Sequence, residues 1–219
     1  MIRRLAIAAA CGLVIGPAAG GTPAQAAPTF TTRIDNSYLP MSPGSRWVYR
    51  ETALDGTKQR VVVKVTHRTK LIANGVTARV VRDTVTEKSG VVEDTFDWYA
   101  QDGRGNVWYL GEDTTEYEKG KPVSTKGSWE AGVNGARAGI IMPAHPRPGM
   151  QYQQEYLKGE AEDKARVVSV FADSVLTREW TPLEPKVFEY KLYARGVGTV
   201  LELTVPGGDR EELVSFHRG

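Results

Sequence analysis

The sequence predicts an all-β chain, a single antiparallel sheet curled into a barrel or half-barrel, with one long Gly/Pro-rich loop. Three observations carry that prediction. Segments rich in Val, Thr, Tyr and Trp alternate apolar and polar residues with a period of two. Asp-Gly and Asn-Gly pairs punctuate them, and both dipeptides tolerate the positive φ of tight hairpin turns. No segment sustains a 3.6-residue period between helix caps. At 219 residues and 41% hydrophobic, the chain can bury a core and lacks the composition of a disordered one.

The elements follow in order. Residues 1–26 read as a secretory signal peptide: Arg3 and Arg4 form the positive end, Leu5 to Ile15 the apolar run, and Ala24-Gln25-Ala26 the small residues a signal peptidase requires. Gly16-Pro17 breaks the apolar run before it is long enough for a membrane span, and nothing later in the chain is apolar enough to be one. Residues 27–45, with Pro28, Pro40 and Pro43, read as a linker-like lead, and residues 46–219 as the β domain. Its strands are expected at 46–54, 58–71, 76–87, 91–101, 107–118, 151–157, 161–170, 175–181, 187–195, 199–205 and 211–216. The segment 161–170 also admits a short helix. Thr125 to Gly149 lacks alternation and reads as a long loop, of the kind that often covers a binding site.

Composition excludes several functions. With 28 Lys+Arg against 26 Asp+Glu, two of the Arg lying in the signal segment, the exported chain is electrically balanced. It has no electrostatic footprint for nucleic acid. Cys11 is the single cysteine and would leave with the signal, which removes thiol nucleophiles, Cys-ligated metals and disulfides. Three His, no Gly-x-Ser-x-Gly elbow and no phosphate-cradling Gly-rich loop leave little for nucleophilic or nucleotide chemistry.

The most informative stretch is 93–113. A five-residue loop, Asp102 to Asn106, joins a hairpin in which Gln101 faces Val107, Ala100 faces Trp108 and Tyr99 faces Tyr109. Continued without a break, this register pairs Trp98 with Leu110 and puts Phe96, Trp98, Trp108 and Leu110 on a buried face. Glu93, Thr95, Asp97, Tyr99, Tyr109 and Asp113 share the other face, with Asp97 and Asp113 diagonal neighbours. Such a face admits three uses: a divalent cation held by Asp97, Asp113 and Glu93, the one cofactor the sequence suggests; an acid/base pair of the kind glycosidases use; or a solvated surface. A second candidate is the aromatic and thioether set Tyr99, Tyr109, Trp129 and Met142, lining a cavity under the 125–149 loop and taking a lipid or other small hydrophobic ligand. Met142, His145 and Met150 also offer soft copper ligands.

The run Tyr38-Leu39-Pro40-Met41-Ser42-Pro43-Gly44-Ser45-Arg46-Trp47-Val48-Tyr49 resembles the start of a loose group of exported bacterial β-domains. In that group a Leu-Pro, Pro-Gly, Trp-x-Tyr lead feeds the first strand. Asp97-Trp98-Tyr99 and Gly105-Asn106-Val107-Trp108-Tyr109 extend the likeness. The group has no established activity, so the resemblance implies an exported β-domain and no site residues. The sequence thus points to a secreted or cell-envelope protein that binds rather than catalyses.

Overall fold

A computed structural model describes residues 29–219; the signal segment and Cys11 lie outside the described residues. Every element in it is a strand: β1 (Phe30–Thr31), β2 (Arg46–Thr52), β3 (Lys58–Leu71), β4 (Thr77–Glu87), β5 (Gly90–Asp102), β6 (Val107–Glu118), β7 (Lys121–Ser124), β8 (Trp129–Glu130), β9 (Arg137–Met142), β10 (Gln151–Gln153), β11 (Glu155–Tyr156), β12 (Lys164–Val170), β13 (Ser174–Trp180), β14 (Phe188–Ala194), β15 (Gly198–Val205) and β16 (Arg210–His217). The segment 161–170 is therefore strand, as its Val-rich alternation favours, and not helix.

All pairings are antiparallel and the sheet runs β10-β12-β13-β14-β15-β16-β2-β3-β4-β5-β6-β9-β11. Two features curl it into a nearly closed barrel. β16 pairs with β2, from Arg210↔Thr52 to His217↔Arg46, so the last long strand lies beside the first. The segment Gln151–Tyr156 then bends at Gln154, its first half pairing with β12 and its second with β9. Between β9 and β10 themselves there is no hydrogen-bonded ladder, and this is the one unsealed seam. The backbone pinches there at Gly139, where a Cβ would fall on the Gln153 carbonyl oxygen and the Gln154 backbone.

The segment expected to be a linker is packed. Phe30 and Thr31 pair with the end of β5, and Ile34, Tyr38 and Met41 are buried in a core with Trp47, Val65, Val107, Met142 and Tyr193. Asn36 fixes the segment across the barrel end. Its amide donates to the carbonyls of Gly105 (2.9 Å) and Pro143 (3.2 Å), and its backbone N–H donates to Gln101 Oε1 (2.9 Å). An Asn read as loop punctuation thus satisfies buried backbone groups that would otherwise be costly to desolvate. Residues 29–45 close one end of the barrel as an apolar floor.

The long loop is also more ordered than expected. β7, β8 and β9 lie in tandem beside β6, and only short turns separate them. The region is a broken barrel strand rather than a lid.

Candidate functional site

Alternation along β2 to β6 and β13 to β16 sends one set of side chains into the barrel. Together they bound a cavity of about 960 Å³ that runs from Leu39 and Met41 at the floor to turn residues such as Glu184, Pro206 and Asp209 at the opposite rim. The walls carry sixteen acidic side chains against three cations, Lys126, Lys191 and Arg210. None of the three His lines the cavity. A balanced total charge therefore conceals a strong segregation, with acid directed inward.

One wall is compensated. Lys191 on β14 lies 3.1 Å from Glu202, 3.3 Å from Glu179 and 3.4 Å from Glu189. Burial alone would lower the lysine pKa, but the three carboxylates outweigh it and hold the ammonium charged. Its charge is shared unevenly. Burial works against Glu202 too, yet the lysine holds this nearest carboxyl down at about 2. Burial pushes Glu189 up to about 7 despite the same lysine. Glu179 also accepts hydrogen bonds from the hydroxyls of Thr177 (2.9 Å) and Tyr193 (3.1 Å).

The facing wall is acidic without a lysine. Asp97 on β5 pairs across the ladder with Glu112 on β6. Burial, then the Glu112 and Asp83 carboxylates, push Asp97 well above the usual range, only partly offset by the Tyr109 hydroxyl that donates to it at 2.8 Å. Asp83 on β4 is raised to about 7 by burial and by Glu93. Glu211 on β16 rises to about 8 through burial and Glu202. Tyr99 stacks on Tyr109 with centroids 4.9 Å apart, and burial followed by the Asp97 charge keeps both phenols protonated. Three polar atoms on these walls have no hydrogen-bond partner: Asp83 Oδ1, Glu189 Oε2, which has only the Lys191 ammonium 3.4 Å away, and the Nε2 of Gln154, a residue 3% exposed at the bend between β10 and β11.

The hairpin of β5 and β6 shows where sequence reasoning held. Gln101↔Val107, Ala100↔Trp108 and Tyr99↔Tyr109 are the observed pairs. Beyond them the register shifts by one residue, because Leu110-Gly111 bulges and Gly111 takes φ 134°. A side chain at Gly111 would collide with the Trp129 carbonyl, so the bulge and the β8 contact depend on the same glycine. The consequence is a changed acid pair. Asp113 pairs opposite Phe96 and points to solvent, while Glu112 takes the place beside Asp97. Asp97 and Glu93 line the cavity but Asp113 does not, so the expected cation set is not assembled. Among the described residues no three His, Cys, Asp or Glu side chains converge on a point as metal ligands would. Nor is the Asp97 face solvated. It is the barrel interior, and the opposite face is covered as well, with Val80, Trp98 and Leu110 in a second core with Ile72, Trp129 and Ala136.

The expected ligand residues divide in the same way. Tyr99 and Tyr109 line the cavity. Trp129 does not; it sits edge-on to Tyr109 at 5.4 Å in the second core. Met142 is fully buried opposite Val107 in the floor core and is no wall residue either. His145 is exposed, and Met150 packs against that same floor core. Asp102 is a turn anchor. Its carboxylate accepts from the backbone of Arg104 and Asn106, the Asn106 amide and the Trp108 indole, at 2.8–2.9 Å. Burial opposes ionisation there, yet these donors hold its carboxyl below the usual range. Sequence reasoning missed Lys191, Glu179, Glu189, Glu202, Asp83 and Gln154. The alternation of Glu179, Glu189, Lys191 and Glu202 with apolar neighbours was visible, but it reads equally well as a solvated outer face.

No helix among the described residues is long and apolar enough to cross a membrane. No protein-family model matches the chain, and no curated protein matches it. Among solved structures, a "putative lipoprotein" from Parabacteroides distasonis ATCC 8503 is similar at 10% identity and a TM-score of 0.42, over 83% of this chain and 99% of that one.

Proposed function

We propose that the protein binds a small ligand inside the barrel and performs no chemistry on it. The observation that carries this reading is the cavity itself: about 960 Å³, at the upper end of the range for small-molecule sites, with an apolar floor and a polar wall. Side chains fill barrels of about eight strands, and a wider one such as this leaves a lumen. Here carboxylates, tyrosines and Gln154 line the space. The export signal read in residues 1–26 supports a binding event in the secreted or cell-envelope compartment. A lipid or other purely hydrophobic ligand suits the floor around Leu39, Met41 and Trp47 better than it suits the acidic walls.

The test is titration with an environment-sensitive neutral dye such as Nile red, on the native protein and on Val63→Trp, which places an indole in the lumen. Saturable binding to the native protein that is lost in the folded variant supports the reading. Binding unaffected by the blocked lumen refutes it. Turnover of an aryl glycoside panel that disappears in Asp97→Asn would replace binding with hydrolysis.

A further inference from the structure

We infer that the ligand of this lumen is an organic cation, its ammonium or guanidinium group held on the wall of Asp83, Asp97 and Glu112 and its apolar body laid against Tyr99 and Tyr109. This rests on the binding reading above and specifies the chemical class of the ligand.

Four observations converge on it. First, the charge of the lumen is one-sided, and its cations are already engaged or peripheral. Lys191 is committed to Glu179, Glu189 and Glu202, Arg210 sits at the rim, 2.6 Å from Glu212, and Lys126 is exposed. Second, Asp83 Oδ1 is buried with no hydrogen-bond donor, and a buried carboxylate oxygen in that state is expensive until a donor or proton reaches it. Third, Gln154 Nε2 is a buried donor, also unfilled, on a residue that lines the same cavity. Its neighbour Glu155 acts electrostatically on Tyr109, which places this corner beside the Asp97 wall. A ligand that pairs with both groups carries a donor cation at one point and an acceptor at another. Fourth, the carboxylates do not converge as ligands of a metal ion would. Among the described residues the wall therefore suits a cation whose charge rides on an organic body better than a bare metal ion. The stacked tyrosines supply aromatic faces suited to such a cation and its hydrocarbon frame.

Burial and like charge raise the carboxyls of Asp83 and Asp97, so each holds a proton more readily than an ordinary carboxylate until a cation lies beside it. Binding displaces such protons, so association releases them to solvent as the carboxylates ionise against the incoming charge.

Dansylcadaverine, its N-acetyl derivative and a dansyl-alkyl carboxylate form a fluorescent series of similar shape and different charge. The amine is expected to bind the full-length mature protein about tenfold more tightly than the acetylated probe, with the carboxylate weakest, since a charge-assisted contact to a buried carboxylate outweighs a neutral one. Asp97→Asn, which still accepts the Tyr109 hydroxyl, should reduce that preference to about twofold while leaving the acetylated probe's affinity in place. Glu112→Gln serves the same purpose if Asp97→Asn does not fold. Equal or tighter binding of the acetylated or carboxylate probe overturns the cation assignment and leaves the cavity reading intact. Failure of all three probes overturns both. Displacement of the amine by millimolar CaCl2, but not by matched ionic strength of NaCl, would mean that a metal ion is the true occupant.

Discussion

Lys191→Met is the most informative single perturbation. It removes the ammonium that lies within 3.1–3.4 Å of Glu179, Glu189 and Glu202. Removing one member of a buried ionic network costs about 3–5 kcal/mol, because the partners stay desolvated without compensation. For a domain of this size each kcal/mol moves Tm by roughly 2–4 °C, so a drop of about 10 °C is expected at pH 8. The pH dependence follows from the two shifted groups. Lys191 has its folded pKa raised, so its contribution is present below its unfolded value and is lost as pH rises through the folded one. Glu202 is depressed to about 2, so its contribution is present above its unfolded value near 4.5 and fades as pH falls toward 2. Across pH 5 to 8 the native wall keeps both. In the variant Glu189 and Glu202 take up protons instead, which is cheap at pH 5 and costly at pH 8. Denaturant unfolding followed by tryptophan fluorescence should show a loss at pH 5 less than half that at pH 8. A variant as stable as the native protein at pH 8, or more damaged at pH 5 than at pH 8, would refute the reasoning. Adding Glu202→Leu should restore part of the loss.

Other outcomes follow from separate parts of the molecule. Asp83 and Glu211 hold protons up to about 7 and 8, above their unfolded values, so the ligand-free protein loses stability as pH rises from about 5 to 8; a Tm by scanning calorimetry that rises over this interval would contradict it. For the same reason dansylcadaverine affinity should strengthen between pH 6 and 8.5, by about tenfold, as Asp83, Asp97 and Glu211 give up protons, and a flat profile would argue against proton release. Gly139→Ala should destabilise by about 1–3 kcal/mol through overpacking against Gln153 and Gln154, and limited proteolysis should then cut within 150–163 faster than in the native protein. Asp102→Ala deprives the Arg104, Asn106 and Trp108 donors of their shared acceptor and should cost about 2–4 kcal/mol in urea unfolding; Asp102→Asn should recover part of it.

Much of the barrel was legible because strand and turn signals are local. Ten of the eleven expected strands recur as single strands, several to within a residue or two, while 151–157 divides at Gln154 into β10 and β11; Asn74-Gly75 and Asp55-Gly56 mark turns with positive φ at the glycine. What failed depends on distant partners. Nothing near Leu110-Gly111 announces a bulge, because its cause is the Trp129 backbone arriving from another segment. That one residue of slippage turned Asp113 outward and brought Glu112 in. The 29–45 and 125–149 segments read as irregular since their partners, the barrel end and the flank of β6, exist only after closure. The inward acids were the hardest to read. Alternation identifies two faces of a strand but not which of them is inside, and the usual assignment sends charge to solvent. In this barrel the lumen is the charged face along β14 and β15.

The pairing of β16 with β2 has a kinetic meaning. Residues 46–52 find their second neighbour only when 210–217 have been synthesised, and the bend at Gln154 must by then have engaged both β12 and β9. Closure is thus the longest-range event in the chain, with the loop-entropy cost that slows high-contact-order folds. Until it happens, β2 is an open edge beside an acid-rich sheet. The inward carboxylates that later form the lumen are then solvated and mutually repulsive, which discourages edge-to-edge association of unfinished chains. The groups that suit the closed barrel to a cationic guest also act as its gatekeepers while it is open.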